Sequence, residues 1–382
     1  MRINYNVYAE VNLDNLVKNL KFIQNINGNN KIIPVIKDDA YAHGIIEVAN
    51  KFIDNGIQIL SVGDINEGIL LRKFGVRVPI LVFGITPAEN IDDLIKNDLT
   101  QTVSSFEYAN IILEKLSRIN KRLKVHIKVD TGMGRVGLIA SDENFKIVNN
   151  ICSNPLIDIQ GVYSHFSDAG GEDKNYTVNQ YKLFKMFCNN LSKLKLDIKY
   201  KHICNSEGSL NYRFDDIEYI RPGLSLYGYS MGKNYEELKP VMSLKAKVVH
   251  IKKANKGEYI GYGKTYRVDK ESYIATLNIG YGHGYPRYLS NKGRVIVNNE
   301  FANIVGSICM DHCMIDITNI INIKLFDDVI LIGSSGEKNI DAHEIARYGN
   351  TICYEVLCGI RRKVPRVYLE DNKIKYIREG YY

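Results

Sequence analysis

The sequence predicts an N-terminal (β/α)8 barrel of the TIM type, followed by a mostly β C-terminal domain. Eight short apolar runs recur at broadly similar intervals as far as Leu224. Stretches with the apolar spacing of helices lie between these runs, and strands that alternate with helices are typical of parallel α/β folds. After about Lys239 the apolar segments alternate or become short, and Asn-Asn or Gly separates them, as in antiparallel β structure.

Each apolar run in the first part of the chain is interpreted as one barrel strand. The runs are Lys31 to Lys37, Ile57 to Gly63, Val78 to Gly84, Leu99 to Ser104, Leu123 to Asp130, Ile157 to Phe166, Ile198 to Ser206 and Ile217 to Leu224. Helical spacing occurs around Leu16 and in the stretches Ile46 to Ile53, Tyr108 to Ile119 and Tyr181 to Leu194. Active sites of such barrels lie at the carboxyl ends of the strands, so these side chains should cluster there: Lys37, Arg135, His165, Ser206 and Arg221.

The predicted domain boundary lies in the short connection from Ser230 to Lys239. It gives a barrel of residues 1–238 and a β-rich domain of residues 239–382, and the chain is long enough for two cores. In the second domain, Val241 to His250 and Val295 to Val305 are predicted strands, and Asp341 to Tyr348 is the one predicted helix.

Composition excludes several classes of partner. The formal charge of +7 comes from scattered Lys and Arg, and no basic block interleaved with aromatics indicates nucleic acid. No segment predicts a signal peptide or a membrane span. Seven cysteines without CxxC spacing indicate thiols in a reducing cytoplasm, and no histidine pattern predicts a metal site.

Lys37 is the first candidate for chemistry. It closes a predicted strand, and Asp-Asp-Ala-Tyr-Ala-His-Gly follows at once. An amine delivered to a tight loop with a Tyr and a His is suited to imine chemistry. A lone lysine at a strand end more often only extends its apolar stem along the surface. The convergence predicted for the other strand ends favours the chemical interpretation.

Motifs along almost the whole chain resemble those of the bacterial alanine racemases, which are pyridoxal 5'-phosphate (PLP) enzymes with a barrel and a β domain. Their shared order across two differently built domains makes the resemblance specific. The motifs are Val35 to Gly44, His126 to Gly137, Ser164 to Phe166, Asn205-Ser206, Arg221 to Gly228, Gly261 to Gly263, Ile279 to Tyr281, Cys309 to Asp311 and Cys353 to Val356.

The resemblance implies PLP as the cofactor, held covalently by Lys37, which would also act as one catalytic base. PLP supplies the electron sink that an amino-acid α-proton needs in order to leave at neutral pH. Racemisation needs a second acid/base on the opposite face, and Tyr262 matches the one in the family. In the family this tyrosine comes from the partner subunit, which implies a head-to-tail homodimer whose shared sites are completed by Tyr262, Met310 and Asp311. Without the other motifs, Tyr262 would be interpreted as an aromatic packed at a Gly-flanked turn.

The same resemblance implies the remaining site residues. Arg221 would contact the PLP pyridine nitrogen, and His165 would hold Arg221 and the Tyr262 hydroxyl. Because arginine keeps its proton, it cannot protonate that nitrogen, and the electron sink is weaker than with an acidic partner. The implied phosphate donors are Tyr41, Ser206, the amides of Gly223 and Leu224, and Tyr354; the implied substrate contacts are Arg135, Met310, Tyr281 and Asp311.

Lys128 precedes Asp130 by two residues on one predicted strand, so the two side chains face the same side. In many relatives this lysine is carbamylated, and the resulting anion orients the arginine that corresponds to Arg135. That arginine also contacts the phenolic oxygen of the cofactor. A simple salt bridge between Lys128 and Asp130 is the alternative.

Four positions depart from the family pattern. If the strand continues through Lys37, Asp38 points to the opposite face. Ala42, where the family usually has Gly, predicts that no positive φ is required there. His283 and Ser307 lie near the substrate entry of the family and predict an entrance of different width or charge.

The expected function is the interconversion of L- and D-alanine, which supplies D-alanine for peptidoglycan. A serine or broad-specificity racemase is the nearest alternative, but serine-acting relatives tend to have a smaller residue in place of Tyr354. A non-catalytic PLP carrier lacks the β domain. A barrel-fold decarboxylase should not keep Tyr262 together with Arg221.

Overall fold

The computed structural model describes residues 3–139, 148–149, 151, 154–193, 198–233 and 235–380. The chain divides into two compact units. The barrel unit comprises Val17–Ala40 and Ile45–Leu238, and the β unit comprises Met1–Leu16, Tyr41–Gly44 and Lys239–Tyr382. The chain begins with strand β1 (Val7–Asn12), which leads directly into helix α1 (Leu13–Asn27).

Eight strands of the barrel unit form one parallel sheet in the order β2-β10-β9-β8-β6-β5-β4-β3, and β7 (Leu138–Ile139) pairs with β6 beside it. Each of the eight predicted runs contains one of these strands, so the predicted fold class is confirmed. The strands are β2 (Lys31–Ile32), β3 (Leu60–Val62), β4 (Ile80–Val82), β5 (Thr100–Val103), β6 (Leu123–Asp130), β8 (Ile157–Tyr163), β9 (Tyr200–His202) and β10 (Tyr219–Ile220).

The segment from Lys31 to Ile36 joins the two edges of this sheet. On one side, Lys31 and Ile32 pair with β10. On the other side, Val35 forms a parallel bridge with Ser61 of β3, and the Ile36 amide donates to the Ser61 carbonyl at 2.9 Å. The ring therefore closes immediately before Lys37.

Helices lie between the strands because their apolar residues recur on one face. In α2, Ile45, Val48, Ala49 and Phe52 are buried, and full burial of one large aliphatic or aromatic side chain contributes about 1.5–3 kcal/mol. The predicted helical stretches all fall on observed helices, although Leu194 lies outside the described residues. The helices are α2 (Ile45–Asp54), α3 (Ile65–Lys73), α4 (Ile91–Lys96), α5 (Phe106–Ile119), α6 (Lys174–Ser192) and α7 (Ser206–Asn211).

The segment after Lys37 is a left-handed turn. Asp38 through Ala42 have φ angles between 54° and 63°. Left-handed backbone costs an L-residue with a Cβ about 1–2 kcal/mol. The expectation that the strand continues through Lys37 is therefore wrong, because the last strand bridge is at Val35 and the chain then coils. The expectation that Ala42 needs no positive φ is also wrong, since its φ is 63°.

The β unit is built on a ten-stranded sheet with the central order β16-β15-β18-β11-β1-β20-β21. Strands β14, β17 and β19 pair beside this path, and β12 and β13 form a separate two-stranded sheet. The strands are β11 (Met242–Ala254), β12 (Tyr259–Ile260), β13 (Tyr266–Arg267), β14 (Ser272–Leu277), β15 (Arg294–Val297), β16 (Glu300–Asn303), β17 (Cys313–Asp316), β18 (Asp328–Ser335), β19 (Lys338–Ile340), β20 (Arg366–Glu370) and β21 (Lys373–Arg378).

The N-terminal strand lies in this sheet. The sequence assigned residues 1–238 to the barrel, whereas β1 pairs antiparallel with β11 and parallel with β20. Residues 41–44 also belong to the β unit: the Ala42 carbonyl accepts from Nε of Arg366 at 2.9 Å, and the His43 carbonyl accepts from the Tyr368 hydroxyl at 3.0 Å. Strand β20 therefore fixes the end of the left-handed turn.

The later predicted elements are largely found. Val241 to His250 falls mostly in β11, and Val295 to Val305 is a hairpin whose turn residues Asn298 and Asn299 both have positive φ. Asp341 caps helix α8 (Ala342–Tyr348) by accepting from the Glu344 amide at 2.8 Å. Helix α9 (Cys353–Gly359) was not predicted, because it is short and has no side-chain cap. No helix among the described residues has the length and apolar character needed to cross a membrane.

Candidate active site

A buried guanidinium occupies the carboxyl end of the barrel strands. Arg221 directly follows β10 and is 2% exposed. Its Nη1 lies 2.8 Å from Nδ1 of His202, and its Nη2 donates to the Ser164 carbonyl at 2.7 Å and to the Ile203 carbonyl at 3.2 Å. Nη2 also lies 3.2 Å from Nδ1 of His165. All four partners are uncharged acceptors, and burial lowers the pKa of Arg221 to about 10.

Arg221 fixes the tautomers of a histidine chain. A guanidinium only donates, so Nδ1 of His202 accepts, and that neutral ring carries its proton on Nε2. His165 lies between two donors, with Nη2 of Arg221 3.2 Å from its Nδ1 and Nδ2 of Asn205 3.4 Å from its Nε2. Nε2 of His202 then donates to Nδ1 of His126 at 3.0 Å. His126 in turn carries its proton on Nε2, a buried atom without a hydrogen-bond partner among the described residues. Burial, reinforced by the charge of Arg221, lowers the pKa of His126 to about 3 and those of the other two well below 6.5.

These depressed pKa values predict acid sensitivity. In the unfolded chain histidines titrate near pH 6.5, so below that pH the unfolded chain binds protons that the folded barrel excludes. The free energy of unfolding of the barrel is unaffected by these histidines above about pH 6.5. As the pH falls from there toward the folded pKa, each such histidine lowers it by up to about 1.4 kcal/mol per pH unit. Urea unfolding measured at neutral pH and at about pH 5 should show that the free energy of unfolding falls less in His126→Asn than in the wild type. An identical fall in both proteins would contradict this.

Tyr163, the last residue of β8, lies beside Arg221. Its ring stacks on His202 with centroids 4.9 Å apart, and the guanidinium carbon of Arg221 lies 5.2 Å from its centroid. Nζ of Lys128 lies 5.6 Å from the same centroid, and the Tyr163 hydroxyl pairs with the Thr102 hydroxyl at 2.8 Å. A desolvated cation over an aromatic face gains about 2 kcal/mol, so the tyrosine helps to retain two buried cations.

Lys128 and Asp130 have separate partners. Nζ of Lys128 donates to the Val129 carbonyl at 2.7 Å. The Asp130 carboxylate accepts from the amides of Gly132, Met133 and Gly134 at 2.9 to 3.2 Å, so it holds the loop that leads to the exposed Arg135. Burial, with the charge of Arg221 next in size, lowers the pKa of Lys128 to about 7. Asp130 thus serves the backbone of the loop, and the attraction between its charge and Lys128 only partly opposes that shift.

Four cations converge on His165. After burial, the charges that depress its pKa are those of Arg221, Arg135, Lys128 and Lys37. Lys37 directly follows the segment from Lys31 to Ile36 that closes the sheet, and it is half-buried. Three of the five side chains predicted to cluster, Lys37, Arg135 and Arg221, thus act electrostatically on a fourth, His165. A positively charged barrel end of this kind attracts anions.

Ser206 engages the backbone near the last strand. Its Oγ accepts from the Gly223 amide at 2.9 Å and from the Ser225 amide at 3.3 Å. Because both bonds use the oxygen as acceptor, the hydroxyl proton remains to be donated elsewhere. The Gly223 amide, expected as a phosphate donor, therefore donates to Ser206 here. The Ser225 hydroxyl is buried and has no hydrogen-bond partner in the part of the chain that the structure describes.

Tyr262 lies in the β unit on an exposed turn. The side chain is 75% exposed, and the flanking Gly261 and Gly263 have φ of 75° and 73°. Its carbonyl accepts from the Ser307 hydroxyl at 3.1 Å. Ser307, one of the four departures, therefore supports the backbone of the predicted second base.

Three of the four predicted substrate contacts form a second group in the β unit, whereas Arg135 lies in the barrel unit. The Tyr281 amide donates to the Cys309 carbonyl at 3.1 Å, which places Tyr281 beside Met310, and these side chains are 40% and 57% exposed. Asp311 lies 3.4 Å from Nζ of Lys363 and 3.8 Å from Nδ1 of His283. The departure at His283 thus adds a titratable group beside Asp311.

Tyr41 and Tyr354, two predicted phosphate donors, are neighbours in the β unit, with ring centroids 5.9 Å apart. Sequence reasoning missed four residues around Arg221 and Lys37. His202 and Tyr163 end their strands, and the strand-end rule could have found them. His126 shares a strand face with Lys128 by period two. The fourth, Glu67, has no local signal in the sequence.

Comparison with known proteins gives consistent matches. The family model for the alanine racemase N-terminal domain matches residues 11–231, and that for the C-terminal domain matches residues 241–368. The alanine racemase of Clostridium novyi (strain NT) is 44% identical over 377 residues, 97% of each chain. The solved alanine racemase of Clostridium difficile 630 is 38% identical, with a TM-score of 0.93 and 99% of each chain covered. The alanine racemase of Bartonella henselae, solved with covalently bound pyridoxal phosphate, is 25% identical, with a TM-score of 0.85 over 96% of this chain and all (100%) of that one.

Proposed function

The chain belongs to the alanine racemase family, and we propose that it interconverts L- and D-alanine with Lys37 and Tyr262 as the two bases. The observation that supports this most is the cationic barrel end, in which a buried Arg221 has only uncharged acceptors around it. Such a guanidinium suits a neutral ring nitrogen better than it suits a structural ion pair. Matches along almost the whole chain support the reaction.

The residues of this site fit pyridoxal 5'-phosphate. The positive charges around His165 suit its phosphate, and the Ser206 hydroxyl has a proton to donate. We propose that Lys37 holds the cofactor and that Arg221 faces its pyridine nitrogen. When bound, the cofactor supplies the electron sink that lets an α-proton leave. The proposed phosphate donors are Tyr41, Ser206, the Leu224 amide and Tyr354, because the Gly223 amide donates to Ser206.

Arg221 determines how strong that sink is. With a pKa of about 10 it stays protonated at neutral pH, so it donates a hydrogen bond and keeps its proton. The two histidines and two carbonyls around it hold the guanidinium in one orientation. Because Arg221 keeps its proton, it would leave the ring nitrogen of the bound cofactor unprotonated and the electron sink weak, which would limit side reactions such as transamination.

Lys37 and Tyr262 exchange the proton at the substrate α-carbon from opposite sides. Lys37 accepts or returns it at Nζ, and Tyr262 does so at its phenolic oxygen. We propose that His165, whose Nδ1 lies 3.2 Å from Nη2 of Arg221, holds the Tyr262 hydroxyl in place.

We propose that Tyr262 serves the site of a partner subunit in a head-to-tail homodimer. Tyr262, Met310 and Tyr281 are exposed large side chains of the β unit. Exposed apolar groups of this kind mark interaction surfaces. Met310 and Asp311 would accompany Tyr262 to the substrate. We propose that the product, D-alanine, is used for peptidoglycan. We propose a cytoplasmic location because the described cysteines are free thiols, as in a reducing compartment.

The test is incubation of the cofactor-loaded protein with L-alanine and L-serine in heavy water. We expect D-alanine with deuterium at the α-carbon, no carbon dioxide release, and slower turnover of L-serine because Tyr354 limits the space for its hydroxyl. Carbon dioxide release would indicate a decarboxylase. Absence of both deuteration and inversion would leave a PLP carrier, and faster serine turnover would make the protein a serine racemase.

We also propose that Lys128 is carbamylated and orients Arg135. A pKa of about 7 leaves about half of the amine uncharged at neutral pH. The neutral nitrogen attacks the carbon of carbon dioxide, and the proton lost passes to buffer. Lys128→Met should lower kcat/KM about 10- to 100-fold, as loss of a charge-assisted hydrogen bond does. Labelled bicarbonate should give a carbamate signal in the wild type only, and no signal in either protein would exclude the modification.

A further inference from the structure

The backbone that follows Lys37 needs support from outside the segment. Asp38, Asp39, Ala40, Tyr41 and Ala42 form five consecutive positive-φ residues, none of them glycine. Side chains with a Cβ disfavour this conformation, and L-residues rarely adopt it in succession. The Ala40 amide donates to the Ile36 carbonyl at 2.9 Å, and Nδ1 of His43 lies 2.8 Å from the Tyr41 carbonyl.

Glu67 supplies hydrogen bonds from outside. It lies in the first turn of α3, and its side chain is 8% exposed. Oε1 accepts from the amide of Asp39 at 3.0 Å, and Oε2 accepts from the amide of Gly63 at 2.8 Å. One buried carboxylate thus links the left-handed turn to the end of β3.

Both anchored amides flank Lys37. Asp39 follows it by two residues, and Gly63 packs against its stem: a Cβ built on Gly63 would lie 3.2 Å from Cβ of Lys37 and 3.3 Å from Oε2 of Glu67. The Asp39 carboxylate also accepts from the Ile45 amide at 2.9 Å, at the start of α2. The carboxylate, the turn and the lysine stem therefore form one packed group.

Both carboxylate oxygens of Glu67 must accept a hydrogen bond from a backbone amide. Burial raises the pKa of Glu67, and the two amide hydrogen bonds oppose this rise. A glutamine has nearly the same shape, but its NH2 group would face one backbone N–H as a second donor. Glu67→Gln therefore keeps the packing and removes one anchor. This gives a more selective variant than Glu67→Ala.

We propose that Glu67 is a positioning residue, which holds the left-handed turn so that Lys37 presents its amine to the cofactor. The inference rests on the proposed role of Lys37. Glu67 need not contact cofactor or substrate, because it acts through the amides of Asp39 and Gly63. Its loss should affect the geometry of one lysine more than the fold of the barrel.

The experiment measures two properties of the cofactor-free protein. The first is amide hydrogen exchange of residues 36–45. The second is the rate at which added pyridoxal 5'-phosphate is trapped on Lys37 by borohydride, read from the mass of the lysine peptide. Ser105→Ala is the matched control, because Ser105 caps α5 in the same unit through the Tyr108 amide and should cost general stability alone.

We expect Glu67→Gln and Glu67→Ala to lose protection in residues 36–45 and to slow trapping about tenfold or more, the effect of losing hydrogen bonds to a charged group. The control should change neither property. Unchanged trapping in Glu67→Gln, with or without a change in exchange, would overturn the proposal, as would slowed trapping with unchanged exchange. If Glu67→Ala does not fold, Glu67→Gln alone decides. If the wild type traps no cofactor on Lys37, the role of Lys37 fails, whereas the exchange data still decide whether Glu67 holds the turn.

Discussion

Lys37→Ala should lose covalently bound cofactor and lose racemisation by roughly four to six orders of magnitude, as removal of a covalent catalytic group does in other enzymes. Lys37 lies where the closing strand ends, among the cations around His165. Alanine removes both the proposed attachment point and one of the two proposed bases. The measurement is the yellow absorbance of the purified protein together with the rate of D-alanine formation.

Lys31→Ala is the control for this prediction. Lys31 begins the same strand segment and is exposed, with Nζ 5.6 Å from the Tyr219 ring centroid. It should keep both colour and activity, since it lies at the opposite end of the strand. Appreciable racemisation by Lys37→Ala would remove Lys37 from the mechanism.

Tyr262→Phe should keep the cofactor and lose about 10²- to 10⁴-fold in racemisation, the usual contribution of a general acid/base. The substitution removes one oxygen from a side chain that is 75% exposed, so folding should be unaffected. Lys37 would remain as a base on one face. We therefore expect one enantiomer of alanine still to exchange its α-proton with heavy water, while inversion is lost.

Tyr259→Phe is the matched control, because Tyr259 is 49% exposed and precedes the same turn by three residues. It should retain full activity. If Tyr262→Phe racemised alanine at the wild-type rate, the second base would have to be another group. Equal loss of α-proton exchange from both enantiomers would also contradict a two-base scheme.

The barrel could be predicted because its strands are buried, so each appears as an apolar run bounded by loops. Strand ends then located Lys37, His165 and Arg221 without reference to structure. The predicted runs and the predicted helical stretches also follow one another along the chain in the same order as the observed strands and helices. Fold class and the centre of the candidate site were accessible for this reason.

Other features depend on contacts between residues that are distant in sequence. The left-handed turn has no glycine to signal it, and its support comes from Glu67, 28 residues beyond Asp39. Strand β1 has a partner in β11, more than 200 residues later, and the sequence predicted no strand there and placed residues 1–238 in the barrel. The tautomers of His202 and His126 follow only from the distances to Arg221 and to each other.

The shared active site is the central claim, and mixing two inactive variants tests it most directly. Lys37→Ala and Tyr262→Phe are unfolded together in equal amounts, refolded with cofactor and assayed for D-alanine formation. In a mixed dimer, one site combines an intact Lys37 with an intact Tyr262 from the other subunit. We expect recovery of about a quarter of the wild-type activity, since about half of the dimers are mixed and each has one intact site. No recovery from folded mixed dimers would contradict the claim, because it would mean that each subunit supplies both bases to its own site.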